Sequence, residues 1–151
     1  ISGMGERVTI VPAAVVETPR PVRFLVGPSG GMGKAEGSAG RQDVAYAQAV
    51  EVEGISLDAF VFDQGNPPPA LVKMDIEGGE VLALPGMQRV LERYKPVVLM
   101  ELHGPQAAQA AWQALTLAGY RLHRMQAGYP AVRAVEDLDW KAYLVALPGE
   151  Q

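Results

Sequence analysis

The feature of this sequence that most constrains its fold is the alternation, in its second half, of short apolar runs with longer segments of helical periodicity. Residues 70–75 and 96–101 are almost uninterrupted apolar runs, which is typical of strands covered on both faces. Residues 81–94 repeat apolar side chains at helical spacing, and Pro85 is expected to begin the main helix there. A second helix is predicted over residues 105–119. This order predicts an α/β domain with a mostly parallel sheet.

Shorter segments flank this pattern. The first third of the chain is rich in β-branched residues, and residues 27–40 form a glycine-rich stretch that predicts a loop. Ser56 is expected to cap a short helix, and the prolines that follow Gly65 interrupt regular structure. Further strands are predicted over residues 8–16, 22–26, 48–53, 121–126 and 140–147.

Composition narrows the classes of function. The 151 residues fit a single domain, 1–151, and the net charge is −4 with no cluster of Lys and Arg. A protein that neutralises several phosphates needs such a cluster, so nucleic acid is not an expected partner. The sequence has no cysteine for disulfides or thiolate metal sites, and no apolar run of about 18 residues that would span a membrane. These features favour a cytoplasmic location.

The stretch that ends in Gly33-Lys34 raises the alternative of a phosphate-binding P-loop. The P-loop pattern requires a glycine five residues before the glycine of Gly-Lys, and a Ser or Thr directly after the lysine. Pro28 and Ala35 occupy those two positions. The loop must also lead into a helix whose N-terminus faces the phosphates, and the residues after Ala35 are poor helix formers. The sequence therefore does not favour a P-loop nucleotide site.

Ionisable side chains gather where the two apolar runs end. Asp75, Glu77 and Glu80 follow the first run, while Glu101 and His103 end the second. In open α/β sheets, ligands bind beyond the carboxyl ends of the strands, and neighbouring strands lie about 4.8 Å apart. If the two runs are adjacent strands, Asp75 and Glu101 come within reach of one metal ion, one ammonium group or each other.

Each of these residues also has a structural interpretation. Asp75 could cap the turn after its strand, and Glu80 could favour a helix N-terminus. His103 precedes Gly-Pro and could simply bind the backbone of a loop. Lys73 lies two residues before Asp75, on the same strand face, and is predicted to pair with one of the carboxylates. His123 lies inside a predicted strand and is expected to be structural.

The segment LVKMDIEGGEVLALPGMQRVL resembles the core signature of the FkbM-type methyltransferases, which are S-adenosylmethionine-dependent enzymes of the class I Rossmann-like fold. In that signature a strand with Lys-hydrophobic-Asp is followed by hydrophobic-Glu-Gly-x-Glu and then by hydrophobic-Leu-x-Gly. Flanking pieces around Ala14, Leu57-Asp58 and Glu101 resemble other parts of the family, so the resemblance covers nearly the whole chain. The matching signature residues are Lys73, Asp75, Glu77, Gly78, Glu80, Leu84 and Gly86.

The resemblance implies a three-layer Rossmann-like sandwich whose mostly parallel sheet has an antiparallel last strand. It implies S-adenosylmethionine as the cofactor, with Ala13 and Ala14 near the adenine and Asp75 near the methionine part. It also implies O-methylation of a hydroxyl on a small molecule, sugar or lipid. The residues implied for binding this acceptor are Glu77, Gly78 and Glu80.

Two ways of activating the acceptor hydroxyl stay open. Some O-methyltransferases of this fold hold a divalent metal with acids from these two strand ends, and the metal orients the hydroxyl. Here Asp75, Glu101 and His103 could hold Mg²⁺ or Ca²⁺, which favour oxygen ligands. Without a metal, Glu101 or His103 could serve as the general base.

The sequence also departs from the family pattern at its beginning. Family members start with a strand that ends in a glycine-rich turn, followed by a second strand with an acid for the ribose hydroxyls, and neither occurs after Ile1. The chain is therefore expected to be the C-terminal two-thirds of a methyltransferase domain, with exposed apolar strand edges. The alternative function is a non-catalytic or truncated remnant, and a homo-oligomer stays open.

Overall fold

A computed structural model describes residues 7–27 and 33–149, so part of the glycine-rich stretch, residues 28–32, lies outside the described residues. The described residues form a mixed α/β fold with two four-stranded sheets. The strands are β1 (Ala13–Val15), β2 (Arg20–Val26), β3 (Lys34–Ala35), β4 (Gln48–Ile55), β5 (Leu71–Met74), β6 (Val97–His103), β7 (Tyr120–Arg124) and β8 (Lys141–Pro148). The α-helices are α1 (Glu80–Ala83), α2 (Gln88–Tyr94) and α3 (Pro105–Leu117).

The alternating segment of the sequence forms the sheet that carries the main core. Its strand order is β5-β6-β8-β7, with β5 and β6 parallel and β8 antiparallel to both of its neighbours. The antiparallel last strand is as expected. Helix α3 buries Ala111 and Leu115 in the same cluster as Leu102 and Leu144 of the sheet, so the helix covers one sheet face.

The opposite face of this sheet is partly open among the described residues. Side chains along β6 alternate, since Val98, Met100 and Leu102 are buried and the residues between them are only half-buried. The prediction that this strand is covered on both faces is wrong for the described part of the chain. An apolar run shows that both faces tolerate apolar contact, but it does not show whether a second layer is present.

The N-terminal strands form a sheet of their own. The order is β1-β4-β2-β3, with β1 parallel to β4 and with β2 antiparallel to both of its neighbours. The described residues therefore form two mixed sheets instead of the single, mostly parallel sheet that was expected. Glu51 and Glu53 of β4 lie on the same strand face and are both exposed, so no second layer of the described residues covers this face.

Several element boundaries differ from the sequence prediction. Pro85 lies in a 3₁₀ turn, Leu84–Met87, and the longer helix begins only at Gln88. Strand β1 is shorter than residues 8–16, and Ile10 is 84 % exposed. A short helical segment that includes Ala59–Asp63 follows Ser56. Its expected cap is present, because Ser56 Oγ accepts the N–H of Ala59 at 3.1 Å.

Lys34 has a structural partner that a P-loop lysine would not have. The chain enters β3 at Lys34, where a P-loop would enter a helix. The Lys34 side chain is buried, and its Nζ donates to the carbonyl oxygen of Arg41 at 2.6 Å. The lysine therefore stabilises the loop that leads from β3 to Arg41. Within the described residues, no helix is both long and apolar enough to cross a membrane.

Candidate active site

The parallel pairing of β5 with β6 brings two acidic strand ends together. Met74 pairs with Met100, so Asp75 and Glu101 follow on adjacent strands. His103 lies two residues beyond Glu101 and therefore on the same strand face. One ligand atom from each of Asp75, Glu101 and His103 lies within 4.8 Å of the others. The structure thus gathers the three candidate ligands of a divalent ion, two of which, Glu101 and His103, are also the candidate general bases.

The imidazole of His103 is buried among carboxylates. Its Nε2 lies 3.3 Å from Glu101 Oε1 and 3.8 Å from Glu77 Oε2, while Nδ1 lies 3.8 Å from Glu80 Oε1. The ring of Trp140 meets the imidazole edge-on at a centroid distance of 6.4 Å. Among the described residues Nδ1 has no hydrogen-bond partner, so His103 is not simply a loop residue bound to backbone.

Two lysines form ion pairs with the carboxylates of Asp75 and Glu101. Lys73 Nζ donates to Asp75 Oδ2 at 3.2 Å, which confirms the predicted pairing of Lys73 with a carboxylate. Lys141 Nζ contacts Glu101 Oε1, and this hydrogen bond is the main reason why the pKa of Lys141 is raised. A cation held by Asp75 and Glu101 would therefore compete with two ammonium groups.

Three signature residues follow β5, namely Glu77, Gly78 and Glu80, and each has a different environment in the structure. Glu77 has a left-handed φ of 52° and keeps a partly exposed carboxylate beside His103. Gly78 has a φ of +90° and touches the backbone of Gly40, so it serves close packing and offers no side chain to an acceptor. Glu80 is fully buried, which takes its carboxylate out of direct reach of a ligand in solution.

The carboxyl group of Glu80 is unusual because neither of its oxygens has a hydrogen-bond partner among the described residues. Burial raises the pKa of Glu80, against the opposing effect of neighbouring backbone N–H groups and of His103. The nearest ring nitrogen is His103 Nδ1. The family resemblance implied that Glu80 contacts the acceptor, whereas the structure buries Glu80 beside Nδ1 of His103.

A cavity of about 330 Å³, called the smaller cavity below, lies between β1 and the end of β5. The residues that the family resemblance implies for cofactor binding, Ala13, Ala14 and Asp75, all line this cavity together with Glu77. Its other walls include small residues such as Gly33. Asp75 belongs both to the cavity wall and to the ionisable cluster, so the cavity and the cluster are contiguous.

Sequence reasoning missed two residues of this site. Trp140 packs on His103, and it also lines a wider cavity of about 740 Å³ with Arg41 and Gln106. Lys141 binds Glu101, because β8 pairs with β6 and sets Lys141 opposite His103. No local motif marks either residue.

His123, the other histidine, has the structural role that was predicted, since its Nδ1 lies 2.9 Å from the carbonyl oxygen of Tyr129. It belongs to β7, away from the strand ends that carry the acids.

Comparison with known proteins assigns a family to the chain that carries this site. The sequence pattern of the methyltransferase FkbM domain matches residues 6–122. Neither the curated proteins nor the solved structures give a match. The matched range covers more than half of the chain and includes Asp75, Glu101, His103 and both sides of the smaller cavity. The chain therefore belongs to the FkbM methyltransferase domain family.

Proposed function

We propose that this chain carries the acceptor side, and part of the cofactor side, of an S-adenosylmethionine-dependent O-methyltransferase that acts on a small molecule. The observation that carries the proposal is the continuity of the smaller cavity with the ionisable cluster through Asp75. One compartment suits a cofactor, and the adjoining side chains can handle the proton of a hydroxyl. Methyl transfer to oxygen needs both functions side by side.

The lining of the smaller cavity supports S-adenosylmethionine as the ligand. Ala13, Ala14 and Ala35 contribute small apolar surface beside the Phe24 ring, which suits a flat adenine ring. Asp75 and Glu77 add acidic groups, which favour the positive charges of a sulfonium and an ammonium group. When bound, the cofactor supplies the methyl group.

The cluster offers two bases for the acceptor proton. Glu101 is mostly buried and touches His103 Nε2, so either group could accept the hydroxyl proton while the ring and Lys141 share the charge. The donor set also fits a divalent ion, because two carboxylates and an imidazole converge within 4.8 Å. Oxygen ligands suit Mg²⁺, and the imidazole extends the range to Mn²⁺ and Zn²⁺.

Calorimetric titration of the chain with S-adenosylmethionine tests cofactor binding. Wild-type protein should bind, and Asp75→Asn should weaken binding by about tenfold, as expected for one lost charge contact. Asp63→Asn, a change to an exposed residue outside the cavity, is the matched control and should bind like wild type. Failure of this chain and of a longer native product to bind would favour a non-catalytic remnant.

Methyl transfer from labelled S-adenosylmethionine to a panel of hydroxylated small molecules tests the reaction itself. Glu101→Gln should lower the rate by about a hundredfold or more, because the hydroxyl loses its base or its metal ligand. Addition of a chelator separates the two alternatives. Loss of activity that Mg²⁺ restores supports the metal, and unchanged activity supports a protein base.

A further inference from the structure

We propose that Glu80 is a positioning residue, whose buried carboxylate holds the Nδ1–H of His103 and so turns the Nε2 lone pair toward Asp75 and Glu101. The inference rests on the proposed function, because it concerns the histidine of the same site. It gives a role to a signature carboxylate that cannot itself reach an acceptor. No direct contact between Glu80 and a ligand is required.

Burial is the first argument. Glu80 has 0 % of its surface exposed, and neither carboxylate oxygen has a partner among the described residues. A buried, unpaired carboxylate costs several kcal/mol of desolvation free energy unless it is protonated, and a nearby N–H donor lowers this cost. His103 is 3 % exposed, and its Nδ1 also lacks a partner among these residues.

The geometry pairs these two unsatisfied groups. Glu80 Oε1 and His103 Nδ1 lie 3.8 Å apart, and an approach of about 1 Å would give an ordinary N–H···O bond. A neutral imidazole carries its proton on one ring nitrogen and presents a lone pair at the other. A proton held on Nδ1 by Glu80 therefore leaves Nε2 free.

Two carboxylates compete for the proton on the other side of the ring. Glu77 Oε2 lies 3.8 Å from Nε2, but its carboxylate is partly exposed and solvated by water. Glu101 Oε1 lies 3.3 Å from Nε2 and would hold a proton there. That same oxygen already accepts from Lys141 Nζ, which reduces its capacity for a second donor. Glu80 has no other side-chain donor among the described residues, so the balance favours the Nδ1–H tautomer.

The consequence is an imidazole aimed at the reaction centre. Nε2 with a free lone pair can bind a divalent ion or accept the proton of the acceptor hydroxyl. A carboxylate behind a histidine orients the ring and raises its basicity, and loss of such a partner in metal sites typically costs about 10-fold to 100-fold in affinity. Glu80 therefore acts on the chemistry only through His103.

The ¹⁵N spectrum of the histidine rings tests this inference directly, recorded at a pH at which the rings are neutral. The chain has two histidines, so His103→Asn assigns the signals without ambiguity. Wild-type His103 should show the Nδ1–H tautomer. An Nε2–H tautomer in wild-type protein would overturn the proposal before any variant is compared.

Two substitutions then separate the role of Glu80 from simple packing. Glu80→Met fills a similar volume without an acceptor, and His103 should shift toward Nε2–H because the remaining acceptors, Glu101 and Glu77, both lie on the Nε2 side. Glu80→Gln keeps an acceptor oxygen but adds an amide donor, so it should show an Nδ1–H population between those of wild type and Glu80→Met. Replacement of a buried charge by an apolar residue of similar size is often tolerated, so Glu80→Met is expected to fold. An unchanged tautomer in folded Glu80→Met would contradict the inference.

Mn²⁺ titration, followed by broadening of the His103 signals, gives a second readout that needs no methyl donor. Glu80→Met should bind Mn²⁺ about tenfold more weakly than wild type, and Glu80→Gln should lie between the two. If wild type and Glu80→Met show the expected tautomers but no methyl transfer is detected, the proposed function is overturned and the positioning role of Glu80 is not. Normal methyl transfer with an unchanged tautomer in Glu80→Met would overturn the positioning role alone.

Discussion

At the scale of single residues, Asp58 joins two distant parts of the chain. Its Oδ1 accepts the N–H of Val90 at 2.9 Å and its Oδ2 accepts the N–H of Arg89 at 3.1 Å, in the first turn of α2. We predict that Asp58→Ala lowers the free energy of unfolding by about 1 kcal/mol, the usual cost of a lost helix cap. Denaturant titration measures the change.

The control for this prediction is Asp63→Ala. Asp63 is exposed and lies 3.8 Å from the Arg89 guanidinium, and such a surface pair contributes at most about 0.5 kcal/mol. Equal losses of stability in the two variants would contradict the capping role of Asp58.

Tyr120 is expected to limit stability at alkaline pH. Its hydroxyl donates to the carbonyl oxygen of Pro96 at 2.8 Å, and burial raises its pKa from 10.0 to about 12. Because the folded-state pKa exceeds the unfolded one, this contribution is complete below pH 10 and is lost as the pH rises through about 12. The free energy of unfolding should therefore fall more steeply in wild type than in Tyr120→Phe over this window.

Denaturation at a series of alkaline pH values compares these slopes. Tyr129→Phe removes a hydroxyl from an exposed ring and should keep the wild-type slope. Parallel curves for wild type and Tyr120→Phe would show that the Tyr120 hydroxyl does not carry the effect.

The sequence predicted that Asp75 and Glu101 lie close together, but it did not predict the buried carboxylate of Glu80 behind His103. Asp75 and Glu101 meet because both end apolar runs, and strand ends at one sheet edge can be inferred from the sequence. The burial of Glu80 depends on what packs over a four-residue helix, which no local pattern records. Lys141 enters the site only through the pairing of β8 with β6, a contact between residues far apart in sequence.

At the scale of elements, two glycines set the distance between the N-terminal sheet and the β5–α2 segment. A Cβ on Gly86 would lie 2.4 Å from the carbonyl oxygen of Val16 and 2.8 Å from that of Glu17. A Cβ on Gly78 would lie 1.9 Å from the backbone nitrogen of Gly40. The Gly86 contact lies directly after β1, which lines the smaller cavity together with the end of β5.

We predict that Gly86→Ala lowers the free energy of unfolding by about 1–3 kcal/mol, the usual cost of overpacking. It should also weaken S-adenosylmethionine binding, because β1 must move away from the cavity. Gly65→Ala is the control, since Gly65 has a φ of +72° but a Cβ there would have no atom of the described residues within 4 Å.

This control should lose roughly 1–2 kcal/mol through its backbone conformation alone and keep wild-type cofactor affinity. Denaturant titration and calorimetry supply the two measurements. Cofactor binding by Gly86→Ala at wild-type strength would argue that the packing of β1 does not shape the site.

Elements with a strong local pattern were predicted well, and their arrangement in sheets was not. The helix predicted over 105–119 spans Pro105–Leu117, and the strand predicted over 140–147 spans Lys141–Pro148. Proline, glycine and the apolar period mark these boundaries in the sequence. The partners of β1 and β2 depend on non-local contacts, so the separate N-terminal sheet could not be inferred.

At the scale of the whole molecule, the described residues leave one edge and one face of the β5-β6-β8-β7 sheet uncovered. Strand β5 forms the edge, and the Leu71 side chain there is 53 % exposed. Tyr143 and Leu147 of β8 are also exposed. An apolar strand edge beside an apolar face is a typical site for pairing with another chain. The expectation of exposed strand edges therefore agrees with the described residues.

We predict that the chain associates with itself as its concentration rises, and that Leu71→Lys reduces this association. A lysine on an edge strand opposes pairing with a second chain, and the half-exposed Leu71 contributes little to the core. Light scattering coupled to size-exclusion chromatography measures the mass over about a tenfold range of concentration. Leu117→Lys, on the exposed side of α3, adds the same charge away from the sheet and should associate like wild type. Equal association in the two variants, or a wild-type chain that is monomeric throughout, would mean that the β5 edge does not recruit a second copy.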